Sequence, residues 1–269
     1  MDVNQADEGV LWVWRARCPE LRALWNDNEP VTAWEGVTFG EVSCASQDDD
    51  DDDSDDAVSV DNIESHGFNS DAGRVVGIKL ERKGLTGDVP AALGGLTALT
   101  SLHLYGNRLT SVPAALGRLT ALTWLHLGYN DLTSVPAELG GLTALRTLRL
   151  AMNRLTSVPA ALGGLTALTG LRLAGNQLTS VPEEFGGLTA LTSLSLNENQ
   201  LTSVPAALGA LTALTGLDLS KNQLTSVPAE LGGLTLLEAL DLEGNQLTSV
   251  PAEWEVGGTL EFNGCDILR

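Results

Sequence analysis

The chain has 269 residues and a formal net charge of -20, with 43% hydrophobic but only 4% aromatic residues. So much apolar sequence excludes a wholly disordered protein, and the low aromatic content with 29 glycines favours many small repeated units over one large core. The negative charge argues against a nucleic-acid partner, because too few basic residues are present to neutralise phosphates. No apolar run is long enough to predict a membrane helix.

The N-terminal region, residues 1–74, is expected to cap whatever follows it. Residues 7–27 carry apolar side chains at roughly helical spacing, interrupted by Pro19, and predict two short helices. The segment from Trp34 to Phe39 predicts a strand. Four tryptophans are expected to pack inside this cap and not in a ligand site, namely Trp12, Trp14, Trp25 and Trp34.

A run of aspartates interrupts the cap at residues 48–56. Like charges repel one another, so we expect a disordered loop over about residues 46–58. The run lacks the turn-forming glycine of a calcium-binding loop, which favours a solubilising role and leaves an electrostatic tether to a basic partner as the alternative. Deletion of residues 48–56 should leave the unfolding temperature nearly unchanged at moderate salt. Cys18 and Cys44 could pair, although their spacing alone does not show it.

Internal repeats dominate the rest of the chain. Asparagine recurs every 23 residues within L-x-x-L-x-L-x-x-N-x-L, followed by T-S-V-P-x-x-L/F-G-x-L-T, at Asn107, Asn130, Asn153, Asn176, Asn199, Asn222 and Asn245. A degenerate first copy begins at Val75 and has Lys83 in place of the asparagine, which gives eight copies over residues 75–255. The alternating leucines predict short strands that point them inward, and the asparagine amide can satisfy turn backbone groups inside each coil. Neighbouring coils must then bury one another's leucines.

These motifs resemble the leucine-rich repeat family. The resemblance implies an α/β solenoid, a right-handed horseshoe with a parallel concave sheet, short 3-10 or extended convex segments and a helical N-terminal cap. The 23-residue T-S-V-P form is similar to the intracellular Ras-group class. Residues 256–269 are then expected to form a degenerate C-terminal repeat or cap.

Two features resemble plant leucine-rich repeat receptors instead. One is Leu-Thr-Gly-Asp-Val-Pro in the first copy, and the other is the order W-x-G-V followed by G-R-V in the cap. Ala33 and Phe39 stand where that family has its cap cysteines, and their loss fits a reducing compartment.

The centres of the L-x-L motifs predict a column of side chains across the concave face, because neighbouring strands lie about 4.8 Å apart. The column changes from basic to acidic along the stack and runs Lys79, His103, His126, Arg149, Arg172, Ser195, Asp218, Asp241. Rare side chains of the types enriched at binding hot spots fall beside its first half. The predicted partner-binding residues are His103, Tyr105, Trp124, His126, Tyr129, Arg149, Met152 and Arg172.

Exposed convex positions barely change between copies, whereas exposed strand positions vary strongly. This contrast favours a strand face selected for binding, although packing can also hold convex positions constant. Arg149 and Arg172 should repel each other unless an anionic group lies between them. An ordinary solvated charged surface is the alternative interpretation.

No nucleophile motif, phosphate loop or zinc signature is present, so we predict no catalytic residue, no cofactor and no metal ligand. His103 and His126 could form a metal or general-base pair, but neither Glu81 nor Asp131 is convincingly placed with them in the sequence. The two histidines should make binding sensitive to pH between about 5.5 and 7.5.

Two classes of function remain open. The first is a monomeric, cytoplasmic protein-interaction module in signalling or scaffolding, which binds a protein or peptide, with an acidic group of the partner as a candidate contact. The second is a receptor-type or sensor domain that recognises a peptide or small ligand and that could be extracellular.

Overall fold

A computed structural model of the protein describes residues 5–25, 31–39, 74–251, 255–256, 259–262 and 265–268. The N-terminal part contains α1 (Gln5–Arg17), α2 (Pro19–Leu24), a 3-10 turn (Val31–Ala33) and β1 (Val37–Phe39). The two predicted helices are confirmed, and Pro19 begins the second because proline is tolerated in the first turn of a helix. The predicted strand is shorter than expected, since residues 34–36 form a turn. The predicted acidic loop and Cys44 lie outside the described residues.

The repeats form one long sheet. Its strands from the repeats are β2 (Val75–Lys79), β4 (Ser101–His103), β6 (Trp124–His126), β7 (Thr147–Arg149), β8 (Gly170–Arg172), β9 (Ser193–Ser195), β10 (Gly216–Asp218) and β11 (Ala239–Asp241), and neighbours in this order pair in parallel. At one end of the sheet, β1 pairs antiparallel with β2. At the other end lie β12 (Glu255–Val256), β13 (Thr259–Phe262) and β14 (Cys265–Leu268), of which β14 pairs in parallel with β11.

The first copy of the repeat departs from the others on the side away from this sheet. Its Leu-Thr-Gly-Asp-Val-Pro segment contributes β3 (Thr86–Asp88), which pairs in parallel with β5 (Arg108–Ser111) of the next copy. The two strands form a separate two-stranded sheet.

Each of the first seven repeats crosses the convex side in a short 3-10 helix, as predicted. These helices are Ala91–Gly95, Ala114–Arg118, Ala137–Gly141, Ala160–Gly164, Glu183–Gly187, Ala206–Ala210 and Ala229–Gly233. Each begins directly after the proline of Val-Pro, whose backbone is extended. Too few residues remain between this proline and the next strand for a full α-helix. Among the described residues, no helix is both long and apolar enough to cross a bilayer.

The core is a continuous column of leucines that ends against the N-terminal cap. The repeat leucines are buried from the first copy to Leu242, with Phe185 taking one leucine position, and Leu247 is partly buried. In the cap, Trp25 stacks on Trp34 with ring centroids 4.7 Å apart, and Trp12 meets the edge of Trp34 at 4.8 Å. The buried Asp7 fastens the cap to the first repeat, because its Oδ2 accepts a hydrogen bond from the Val75 backbone N–H at 2.9 Å. The tryptophans therefore pack in the cap, as expected.

The repeated asparagines tie successive coils together. Asn153 Nδ2 donates to the carbonyl of Leu150 in its own coil and to that of Leu127 in the preceding coil, both at 3.0 Å. Its Oδ1 accepts a hydrogen bond from the Leu132 N–H at 3.0 Å. The same arrangement recurs at Asn130, Asn176, Asn199 and Asn222. The predicted role of the asparagine amide in satisfying backbone groups is confirmed.

We expect Asn153→Leu to destabilise the protein although it adds apolar surface. Leucine would leave the buried Leu132 N–H unpaired, at roughly 1–3 kcal/mol, and would remove one of the two asparagine hydrogen bonds at each of the Leu127 and Leu150 carbonyls. Urea unfolding monitored by circular dichroism measures the change. The control is Asn197→Leu, the same substitution at a half-buried position whose described side-chain contact is one hydrogen bond from Ser195. Equal stability of the two variants would contradict this role of Asn153.

Part of the constancy of convex positions has a structural cause. A Cβ at the first glycine of L/F-G-x-L would overlap the backbone carbonyl of the next coil in the copies from Gly94 to Gly209, as at Gly94 against Ala115 and at Gly163 against Glu184. The threonine column ahead of the strands is hydrogen-bonded along the stack, since Thr123 Oγ1 donates to the Thr100 carbonyl at 3.0 Å. Invariance at these positions therefore reflects packing, and the concave site must be argued from its own geometry.

Candidate functional site

The strand register brings the predicted column together in space. Lys79 lies opposite His103, His103 opposite His126, and His126 opposite Arg149. The pairing continues through Arg172 and Ser195 to Asp218 and Asp241. The predicted spatial column is thus confirmed, and its role in binding remains a prediction.

Five of the predicted residues form a continuous set of contacting rings, which we call the aromatic cluster: His103, Tyr105, Trp124, His126 and Tyr129. His103 stacks on Trp124 with centroids 5.9 Å apart and an interplanar angle of 15°. Tyr105 lies 4.8 Å from His126 and 5.1 Å from Tyr129, and the two histidine rings are 6.4 Å apart. Each ring supports its neighbours, so the cluster presents an ordered apolar surface with polar edges.

Arg149 joins the aromatic cluster through a cation–π contact. Its Cζ lies 4.9 Å from the centroid of the Trp124 ring. Arg149 also pairs in register with Arg172 on the next strand, so two guanidinium groups belong to neighbouring positions of the sheet. The contact with Trp124 gives Arg149 a favourable partner on the side away from Arg172 and keeps its positive charge beside the aromatic surface.

The residue before each repeated asparagine adopts a left-handed backbone conformation. Tyr129 has φ 52° and Met152 has φ 53°, whereas glycine occupies the equivalent place at Gly106 and Gly175. Glu198 and Lys221, outside the aromatic cluster, adopt the same conformation, so it is a property of this turn in the repeat. Tyr129 is 50% exposed at the edge of the aromatic cluster. Met152 extends over the backbone of Gly175, where a Cβ would collide with its Sδ.

The structure adds two residues that the sequence analysis did not assign to the site. Glu81 Oε1 lies 3.3 Å from His103 Nδ1, and its Oε2 lies 3.9 Å from Lys79 Nζ. The expectation that no carboxylate accompanies the histidines is therefore wrong. Glu81 follows Lys79 by two residues, so alternation along a strand places both side chains on the same face of the sheet. This spacing could have identified Glu81 as a site residue from the sequence. Arg82, just after it, places its Cζ 5.4 Å from the centroid of Tyr105.

Contacts within the cluster also set its charge state. The hydrogen bond from His103 lowers the pKa of Glu81, so this carboxylate is ionised at neutral pH. Burial, followed by the positive charge of Arg149, lowers the pKa of His126 to about 4. His126 is therefore neutral from pH 5.5 to 7.5, and the expectation that it titrates in that window is wrong.

Comparison with known proteins establishes the family. A family model of the leucine-rich repeat matches residues 76–132, 143–201, 176–223 and 189–247, which together make up more than half of the chain. The chain belongs to the leucine-rich repeat family, whose fold is a protein-interaction module. A search of curated protein sequences gave no significant match.

Solved structures of a bacterial leucine-rich repeat protein and of plant receptor ectodomains resemble this fold. The leucine-rich repeat protein LIC12759 of Leptospira interrogans is 33% identical with a TM-score of 0.60, over 71% of this chain and 53% of that one. The ectodomain of the Arabidopsis receptor kinase HAESA, in complex with an N-terminally extended IDA peptide hormone, gives a TM-score of 0.69 at 29% identity, over 90% of this chain and 38% of that one. The GASSHO1/SCHENGEN3 ectodomain from Arabidopsis thaliana, in complex with CASPARIAN STRIP INTEGRITY FACTOR 2, is 36% identical with a TM-score of 0.60, over 68% and 23%. The chain thus spans about half or less of the length of these relatives.

Proposed function

We propose that this protein is a non-enzymatic interaction module that binds an extended, acidic segment of a partner protein on its concave face. The observation that carries the proposal is the continuous surface formed by the aromatic cluster and Arg149 on three adjacent strands, β4, β6 and β7. Aromatic rings supply large contact area at low entropic cost, and strands hold them in place before the partner arrives. Peptide-bound structures among the solved relatives support a peptide as the recognised element.

The distribution of charge favours one orientation of the partner. Arg149 and Arg172 lie side by side next to the aromatic cluster, and their guanidinium groups match the geometry of a carboxylate. Asp218 and Asp241 lie further along the same column. Asp218 already accepts hydrogen bonds from the N–H and the hydroxyl of Ser220, at 2.9 and 2.7 Å. The acidic part of the partner is therefore assigned to β7 and β8, and the two aspartates contribute less to affinity.

The setting that we propose is intracellular signalling or scaffolding by a cytoplasmic monomer. Cys18 is a buried free thiol, and Ala33 and Phe39 stand at the cap positions that hold cysteines in plant receptors. The tryptophan stack closes this cap, which is compatible with a reducing compartment. A receptor-type domain is the second candidate, favoured by the peptide-bound plant ectodomains. Localisation of the tagged native gene product separates the two, and secretion of that product would overturn the cytoplasmic assignment.

Selection from a random peptide display library tests the proposed ligand chemistry. Immobilised wild-type protein should enrich peptides that carry Asp or Glu near an apolar stretch. The Trp124→Ala/Arg149→Glu double variant should fail to enrich them, whereas the Asp218→Asn/Asp241→Asn variant should retain them. Enrichment of basic peptides by the wild type, or an unchanged profile with the first double variant, would contradict the proposal.

A further inference from the structure

Three side chains with metal-binding atoms meet at one end of the aromatic cluster. One ligand atom from each of Glu81, His103 and His126 can be chosen so that all three lie within 4.8 Å of one another. Glu81 follows β2, and the two histidines are the last residues of β4 and β6. The three groups therefore come from consecutive strands of a rigid sheet, which fixes their relative positions.

The donor set matches the chemistry of a borderline transition-metal ion. Two imidazole nitrogens and one carboxylate oxygen are a common protein ligand set for Zn²⁺, with bonds of about 2.0–2.2 Å that place tetrahedral ligand atoms about 3.3–3.6 Å apart. His103 Nδ1 and Glu81 Oε1 already have this separation, 3.3 Å. Binding of the ion would then require a rotation of the His126 side chain that brings its ring nitrogen closer to the other two ligand atoms.

The exposure of these side chains also suits a metal site. The side chains of His103 and Glu81 are 25% and 29% exposed, so an ion can enter while most of each group stays supported by protein. We propose that Glu81, His103 and His126 form a site for one divalent transition-metal ion of the zinc type, with a fourth position open to solvent. This proposal does not rest on the proposed function, because the ion alone is the ligand.

Neighbouring positive charges define what fills the fourth position. Lys79 lies 3.9 Å from Glu81, and Arg149 lies on the adjacent strand opposite His126. Zn²⁺ with one carboxylate ligand keeps a net charge of +1 beside these cations, which weakens binding of the bare ion and favours an anionic fourth ligand. A carboxylate belongs to that class, so an acidic partner segment would reach the ion and Arg149 together.

Isothermal titration of the full chain with Zn²⁺ tests the site. The acidic residues 48–56 and His66 can also bind metal, so every protein in the comparison carries His66→Gln, and the background is measured with the His103→Gln/His126→Gln variant. In the protein that carries His66→Gln, one Zn²⁺ site of unit stoichiometry is expected above that background. Adding Glu81→Gln or His103→Gln should weaken its affinity by at least about tenfold. Glu198→Gln is the matched control, because Glu198 is another concave-side carboxylate and pairs with Lys221 at 2.6 Å. It should leave the site unchanged.

Cobalt(II) provides a second measurement that does not depend on total binding. A four-coordinate Co²⁺ with nitrogen ligands absorbs visible light strongly, whereas Co²⁺ held by the aspartate run keeps the weak spectrum of an octahedral oxygen site. The strong band should appear in the parent protein and in Glu198→Gln, and it should be absent from the correctly folded His103→Gln and Glu81→Gln variants. Zn²⁺ binding and Co²⁺ spectra that are the same in all these proteins would overturn the proposal.

Discussion

Trp124→Ala is expected to weaken binding of a peptide selected on the wild-type protein by about 2 kcal/mol or more, roughly 30-fold in Kd. The indole is the largest ring of the aromatic cluster and touches both His103 and Arg149. Its removal therefore takes away contact area and also the surface on which the Arg149 guanidinium lies. Calorimetric titration of the peptide into both proteins measures the loss.

Arg149→Glu should reduce affinity further, because it replaces attraction for an acidic segment by repulsion. The effect should be largest at low salt, since exposed charges are screened over about 10 Å at 0.1 M ionic strength. Arg154→Glu is the control: this arginine is exposed, follows the buried Asn153 and pairs with Asp131 at 2.6 Å, outside the column. Equal losses for both charge reversals would indicate a general effect of net charge and would contradict a specific role for Arg149.

Gly163→Ala should destabilise the solenoid by about 3 kcal/mol, at the upper end of the usual range for overpacking. A Cβ at this position would overlap the carbonyl oxygen and carbon of Glu184 in the next coil. The obstacle is backbone that belongs to a repeating stack, so it cannot move aside as a flexible side chain would. The midpoint of urea unfolding should fall accordingly.

The adjacent Gly164 is a closely matched control. A Cβ there would meet only the Gly140 carbonyl oxygen at 3.9 Å, an ordinary contact, and the equivalent positions already hold Arg118 and Ala210. Gly164→Ala should be neutral or stabilising by up to about 1 kcal/mol, because alanine reduces the freedom of the unfolded chain. If both alanine variants are as stable as the wild type, the coils are less closely packed than the structure indicates.

The solenoid itself was predictable because one period governs both its sequence and its packing. The spacing of the asparagines fixes the length of a coil, and the L-x-L motif fixes which side chains point inward, so the column from Lys79 to Asp241 follows from counting. The structural cause of constant convex residues was less accessible. The sequence shows that a glycine stands at the position of Gly163 in the first seven copies, but only the distance to the next coil shows that alanine would not fit.

The candidate site was predictable in its composition but not in its contacts. The column identifies which residues are neighbours, whereas side-chain directions depend on backbone conformation and local packing. Glu81 was set aside although its spacing from Lys79 places it on the same face, because the sequence does not show that its side chain turns towards His103 of the next coil. Tyr129 and Met152 were predicted as partner-binding residues from their positions beside the column, and the structure places both in left-handed turns, with Met152 directed over Gly175.

Amide chemical-shift mapping of the selected peptide on isotopically labelled protein tests most directly whether the concave face binds. Shifts should concentrate in β4, β6, β7 and β8 and at the Trp124 indole, with little change in the 3-10 helices of the convex side. Shifts confined to the convex helices or to residues 46–58 would contradict a concave binding site.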